Sequence, residues 1–96
     1  MRKYYLVCYD VSDAKRLRRT HKLMRGFGDP LQYSVFICFL SKVEKVVMLS
    51  KLNDEINSRE DRVLVVDIGP DSKRTRAAIE YFGIQEKLRD EECFVL

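Results

Sequence analysis

YYLVCYD, Tyr4–Asp10, runs without a break into VSDAKRLRRTHKLMRGFG, Val11–Gly28, and this junction decides how the rest of the chain is read. Tyr4 to Tyr9 is apolar or aromatic at every position, and a carboxylate, Asp10, closes the run. Tyr, Val and Cys suit a pleated strand, and a run apolar on both faces belongs in the middle of a sheet. Ser12 or Asp13 can cap a helix that follows at once, reaching about Arg25 and ended by Gly26 and Gly28. Its apolar stripe is Leu17, Thr20, Met24 and Phe27, spaced three, four and three. Lys15, Arg16, Arg18, Arg19, Lys22 and Arg25 take most other positions, with no acid from Ala14 to Gly28. A merely solvated helix usually mixes signs for i,i+4 support, so this face is either solvated surface or a phosphate-binding surface. A buried strand that delivers one acid beside a cationic helix points to a metal or phosphate site. The alternative for Asp10 is a partner of the helix dipole.

Further along, Pro30 interrupts the chain and Leu31–Leu40, LQYSVFICFL, reads as a second strand. It either enters the core gradually or bends near Ser34 into two shorter pieces. Ser41 caps a second helix, about Lys42–Asn57, with an expected buried stripe of Val43, Val46, Leu49, Leu52 and Ile56. Arg59-Glu60-Asp61 reads as a polar turn. Arg62–Ile68, RVLVVDI, is a third strand, ended by Gly69-Pro70. Propensity favours a helix over Ser72–Phe82, although Ala77–Phe82 also suits a short strand. The apolar end Phe94-Val95-Leu96 is costly to leave in water and should dock on something.

The chain has 96 residues, which is one domain. It carries 18 Lys+Arg against 15 Asp+Glu, a net charge of +3, too mild to announce nucleic acid without the clustering on the first helix. Cys8, Cys38 and Cys93 form no CxxC pair, and two lie in apolar runs, so reduced thiols are expected. The N-terminal apolar run is short for a signal peptide and no run is long enough for a membrane span, so a cytoplasmic protein is expected. Arg25-Gly26-Phe27-Gly28 matches the opening of an RNA-recognition signature. It falls at a helix end rather than on a strand, and so reads as a helix terminus. His21, the one histidine, lies on or beside the first-helix stripe and is expected as a satisfied, half-buried imidazole rather than a catalytic one. No Ser/His/Asp arrangement, phosphate-cradling glycine loop or zinc spacing is present.

Together these elements give an α+β fold of the ferredoxin-like kind, an antiparallel sheet with two helices on one face and an extra C-terminal strand. Tyr9–Asp13 (YDVSD), the GFG at Gly26–Gly28, QYSVFIC at Gln32–Cys38 and EDRVLVV at Glu60–Val66 resemble the small CRISPR-associated nuclease family, the second Cas protein and partner of the spacer integrase. The resemblance runs from Lys3 to about Gly69 and rests on the pairing of YDVSD with QYSVF. Beyond it only EYFG, Glu80–Gly83, and the apolar tail match weakly.

That resemblance implies a homodimer whose terminal segment, about 84–96, crosses to the partner's sheet. It implies a metal-dependent endonuclease on RNA or double-stranded DNA, and a scaffold role in the complex that inserts new spacers. Asp10 is then the catalytic and metal-binding acid, with one Mg²⁺ shared across the dimer. Arg16, Arg18, Arg19 and Ser34 contact nucleic acid, and Phe36 packs in the core or at the dimer seam. The competing reading is a non-catalytic DNA-binding scaffold in which Asp10 is incidental. A small-molecule sensor of the same shape has no need of an all-cationic helix.

Overall fold

In the computed structural model, residues 1–83 are described, and the expected C-terminal docking segment lies outside them. The elements are β1 (Lys3–Asp10), α1 (Ala14–Met24), β2 (Gly28–Gln32), β3 (Val35–Leu40), α2 (Lys42–Glu55), β4 (Arg62–Gly69) and α3 (Ser72–Ala78). The sheet order is β2-β3-β1-β4, with every neighbouring pair antiparallel. Two split βαβ units therefore interleave, and the central place falls to β1 as its two-sided apolarity requires.

Alternation along β1 sorts the two faces of the sheet. Tyr5, Val7 and Tyr9 are buried under the helices, and opposite Tyr5 and Val7 on β3 stand Cys38 and Phe36. Thr20 and Met24 from α1 and Met48 and Leu52 from α2 close this core, with Leu17 and Phe27 packed against it. The 3-4-3 stripe on α1 is therefore borne out. On the other face lie Tyr4, Leu6 and Cys8, flanked by Phe39 on β3 and by Val66 and Leu64 on β4. Burial pushes the Cys38 thiol up to about 12, and Cys8 and Cys38 are both free, as expected of reduced structural cysteines.

Four expectations are refined or corrected. Of the two readings of LQYSVFICFL, the bend near Ser34 is borne out: the chain reverses at Tyr33-Ser34 and forms the β2–β3 hairpin. Pro30 lies within β2, at the sheet edge, where a missing N–H costs no ladder bond. Over 72–82 the helix covers only Ser72–Ala78, capped by Asp71, and Ile79 is extended. A third helix thus joins the two that were expected.

The stripe on α2 is wrong at its N-terminal end. Val43 is 73% and Val46 60% exposed, while Met48 and Leu52 are buried. A repeated spacing of three falls behind the 3.6-residue turn by about 60° per step, so Val43, Val46 and Leu49 spiral off the core face. Lys45, Met48 and Leu52, spaced three and four, stay on it, and the Lys45 ammonium lies 4.9 Å from the Tyr5 ring centre. Ser41 caps this helix with a complete capping box to Glu44.

The corrected α2 face has a measurable consequence. Met48→Ala should destabilise the fold by about 2–5 kcal/mol, whereas Val46→Ala should stay within about 0.5 kcal/mol. Chemical denaturation of both variants at one protein concentration checks this. A larger loss at Val46 would restore the original stripe.

Candidate metal and nucleic-acid site

Asp10 ends β1 at the edge of the open sheet face, opposite Arg62 at the start of β4. Its carboxylate is exposed and has no hydrogen bond or ion pair among the described residues. The role of first-turn cap belongs to Asp13, whose side chain accepts the Arg16 N–H at 3.0 Å. Asp10 is therefore not consumed by the helix terminus. It borders an open depression of about 390 Å³ lined by Cys8, Tyr9, Arg62, Val63 and Leu64.

The β2–β3 turn is fastened to the same strand end. The Tyr9 N–H donates to the Ser34 carbonyl at 3.1 Å, and the Tyr9 hydroxyl donates to the Tyr33 carbonyl at 3.0 Å. The structure thus brings Ser34 beside the Asp10 tip, through its backbone. His21 Nδ1 lies 2.9 Å from the Tyr33 carbonyl and 3.3 Å from the Tyr9 hydroxyl, so the imidazole is satisfied as expected. Phe36 is fully buried between Tyr9 and His21, which places it in the core rather than at a surface seam.

The three arginines predicted from sequence have different fates. Arg16 donates from Nε to Asp61 at 2.9 Å, and from Nη2 to Asp61 at 3.2 Å and Glu60 at 3.0 Å. Arg19 is paired with Glu55. Arg18 is exposed and has no partner among the described residues. Lys15, Lys22 and Arg25 are exposed on the same helix. The cationic surface of α1 therefore rests more on Arg18, Lys15, Lys22 and Arg25 than on Arg16.

Asp61 is the residue that sequence reasoning missed. Read as part of a polar turn, it has a side chain with 0% exposure. Besides Arg16, it accepts the Ser12 N–H at 3.0 Å, the Ser12 hydroxyl at 3.3 Å and the Asn57 N–H at 2.8 Å. The Arg16 guanidinium foremost, then the Asn57 and Ser12 N–H groups, hold its carboxyl well below the usual range. Its partners Ser12 and Arg16 lie 49 and 45 residues away, so no local pattern could have signalled the role.

Among the described residues no group of three or more His, Cys, Asp or Glu could hold a metal ion. One chain offers Asp10 alone, which fits Mg²⁺ only as one of two carboxylates in a water-rich shell. No helix among the described residues is long and apolar enough to cross a membrane.

Element order, sheet order and the helix layer define a ferredoxin-like α+β domain. A solved structure of Streptococcus pyogenes Cas2 at pH 6.5 superposes with a TM-score of 0.75 at 30% identity, covering 83% of this chain and 99% of that one. Residues 1–76 match the family model for CRISPR associated protein Cas2. A Geobacter sulfurreducens protein is 43% identical over 70 residues, 73% of this chain and 74% of its own length. One from Thermodesulfovibrio yellowstonii is 38% identical over 90 residues, 94% of this chain and 93% of its own. Both carry the name CRISPR-associated endoribonuclease Cas2. The chain belongs to the Cas2 family.

The Asp61 cluster makes a pH prediction. Because folding lowers this carboxyl's pKa, its contribution is complete above the ordinary value of 3.8 and is lost as pH falls through the lower folded-state value. Asp61→Asn should lower the Tm at pH 7 by several degrees, on the order of 5 °C or more. The gap to wild type should close as pH drops below about 4. Thermal melts at fixed protein concentration, stepped from pH 7 to pH 2.5, test both halves; a constant gap would remove Asp61 as the titrating group.

Proposed function

We propose that this chain is a metal-dependent endonuclease that cuts phosphodiesters of RNA or double-stranded DNA, and that it serves CRISPR adaptation beside an integrase subunit. The observation that carries this reading is Asp10, an exposed carboxylate held on rigid strand backbone and free of partners among the described residues. The names of the two relatives support RNA as a substrate. Cytoplasmic action is part of the same proposal.

A single carboxylate is a thin site, and a second copy supplies what one chain lacks. The open sheet face leaves Leu64 60% and Phe39 47% exposed, an apolar surface of the kind that calls for cover. Asp10 shares that face by strand alternation, so a two-fold pairing there sets two Asp10 carboxylates at one seam. When bound at that seam, Mg²⁺ supplies an activated water and neutralises charge on the phosphate. Asp10 contributes the anionic oxygens, and Arg18, Lys15, Lys22 and Arg25 bind phosphates flanking the scissile bond. Arg16 and Arg19 add positive potential while remaining engaged with Asp61 and Glu55.

A non-catalytic DNA-binding scaffold remains the second reading. It is favoured by the lack, among the described residues, of any larger ligand cluster near Asp10. The two readings share the cationic helix and part at Asp10.

Asp10→Asn keeps the shape of the side chain and removes the charge. It should fold and assemble normally, lose cleavage by about a hundredfold or more, and bind nucleic acid as well or better. Cleavage and binding measured on the same preparations, with Mg²⁺ and with EDTA, decide between the readings. Tight binding with no wild-type cleavage under any metal leaves the scaffold.

The seam is tested separately. Leu64→Glu places a charge on the open face and should convert a two-chain mass into a one-chain mass by light scattering at roughly tens of micromolar. A wild type that is already one chain under those conditions would end the shared-site reading.

A further inference from the structure

We propose that the Tyr33 ring is a stacking platform for an unpaired nucleobase, so that this surface engages nucleic acid at a single-stranded or extruded nucleotide. This deepens the nucleic-acid reading above and rests on it.

Tyr33 sits in the β2–β3 turn and is 45% exposed. Turns commonly carry polar side chains, and nothing in this reversal requires an aromatic. The ring stacks on the His21 imidazole with centres 4.2 Å apart and planes 6° from parallel. One face is therefore covered by His21, and the opposite face is the one a base would use. His21 in turn packs edge-on against buried Phe36, with centres 5.3 Å apart, so the platform has a rigid base. The Tyr33 carbonyl is engaged by both the Tyr9 hydroxyl and His21 Nδ1. Backbone and ring are thus held before any ligand arrives, which lowers the ordering cost of stacking a third ring.

The surroundings suit a nucleotide rather than an apolar ligand. Arg18 lies three residues before His21 and Arg25, the C-cap of α1, four residues after it, which sets both beside the imidazole, and both are exposed. Aromatic faces beside cationic side chains are the means by which proteins bind unpaired bases and their phosphates together. The adjoining residue, Ser34, is tied to Tyr9 and so to the Asp10 end of β1. A base held on Tyr33 would place its neighbouring backbone at that same end of the sheet. A continuous duplex keeps its bases stacked inside and offers no face to the ring, so the platform distinguishes unpaired from paired substrate.

The test uses the full chain in EDTA and three probes. These are a single-stranded RNA of roughly 12 nucleotides with one 2-aminopurine, the same strand with abasic sites, and its duplex. Wild type should quench 2-aminopurine and bind the abasic strand more weakly. Tyr33→Ala should lose roughly 5- to 150-fold in single-strand affinity while duplex affinity stays unchanged. Tyr33→Phe, which keeps the ring, should behave as wild type. The abasic comparison needs no variant, so it stands even if Tyr33→Ala folds poorly. Equal binding of base-containing and abasic strands, or equal loss on single strand and duplex, overturns the platform alone. Failure of wild type to bind any of the three probes overturns the nucleic-acid reading, and the platform with it.

Discussion

The buried carboxylate of Asp61 is the contact on which the working end of the molecule depends. It joins the loop after β1, through Ser12, to α1, through Arg16, and to the end of α2, through Asn57. A carboxylate with 0% side-chain exposure would be costly to leave unpaired. Here hydrogen bonds from two backbone N–H groups, a hydroxyl and a guanidinium replace its lost water. Removing one partner from such a cluster strands the others, so the arrangement is cooperative rather than a sum of pairs. Asp10 is only two residues from Ser12, and Arg62, opposite it, follows Asp61 directly. The geometry at the strand tip is therefore held by a buried residue beside it.

Tyr9 does the corresponding work on the other side. Its ring lies in the core and its hydroxyl reaches the β2–β3 turn. Burial raises the phenol's pKa further above its ordinary value. One strand thus presents a buried Tyr that positions the turn and, next to it, an exposed Asp. Alternation across the pleat puts these consecutive residues on opposite faces. The helix layer supplies rigidity to the tip.

The apolar open face and the lone acid belong to one argument. Among the described residues α1 and α2 cover one side of the four-stranded sheet, and on the other side Leu64, Phe39 and Val66 are exposed, which apolar side chains do not favour. A small domain can complete both its burial and its ligand set with a second copy, because two-fold symmetry doubles whatever stands at the axis.

Much of this was legible in the sequence. Two-sided apolarity gave β1 its central place, the 3-4-3 stripe placed Thr20 and Met24 inward, and Ser41 marked the start of α2. The acid-free run on α1 and the place of Asp10 at the end of β1 were also readable, because composition and strand position are local properties. The bend near Ser34 was one of two readings open for Leu31–Leu40, and only the folded sheet decided for it, since a continuous apolar run carries no mark that separates a bend from a gradual entry into the core. The outward valines of α2 were misassigned because a spacing of three matches a helix face for only a turn or so. Above all, sequence treated Arg16, Arg18 and Arg19 as equivalent cations and Asp61 as a polar turn residue. Which arginine is engaged and which is free depends on carboxylates brought close by packing, 36 to 45 residues along the chain. The chain alone determined that this end of the molecule is charged; only the tertiary structure decided which charges hold the fold and which face the solvent, because pairing is fixed by distance in space.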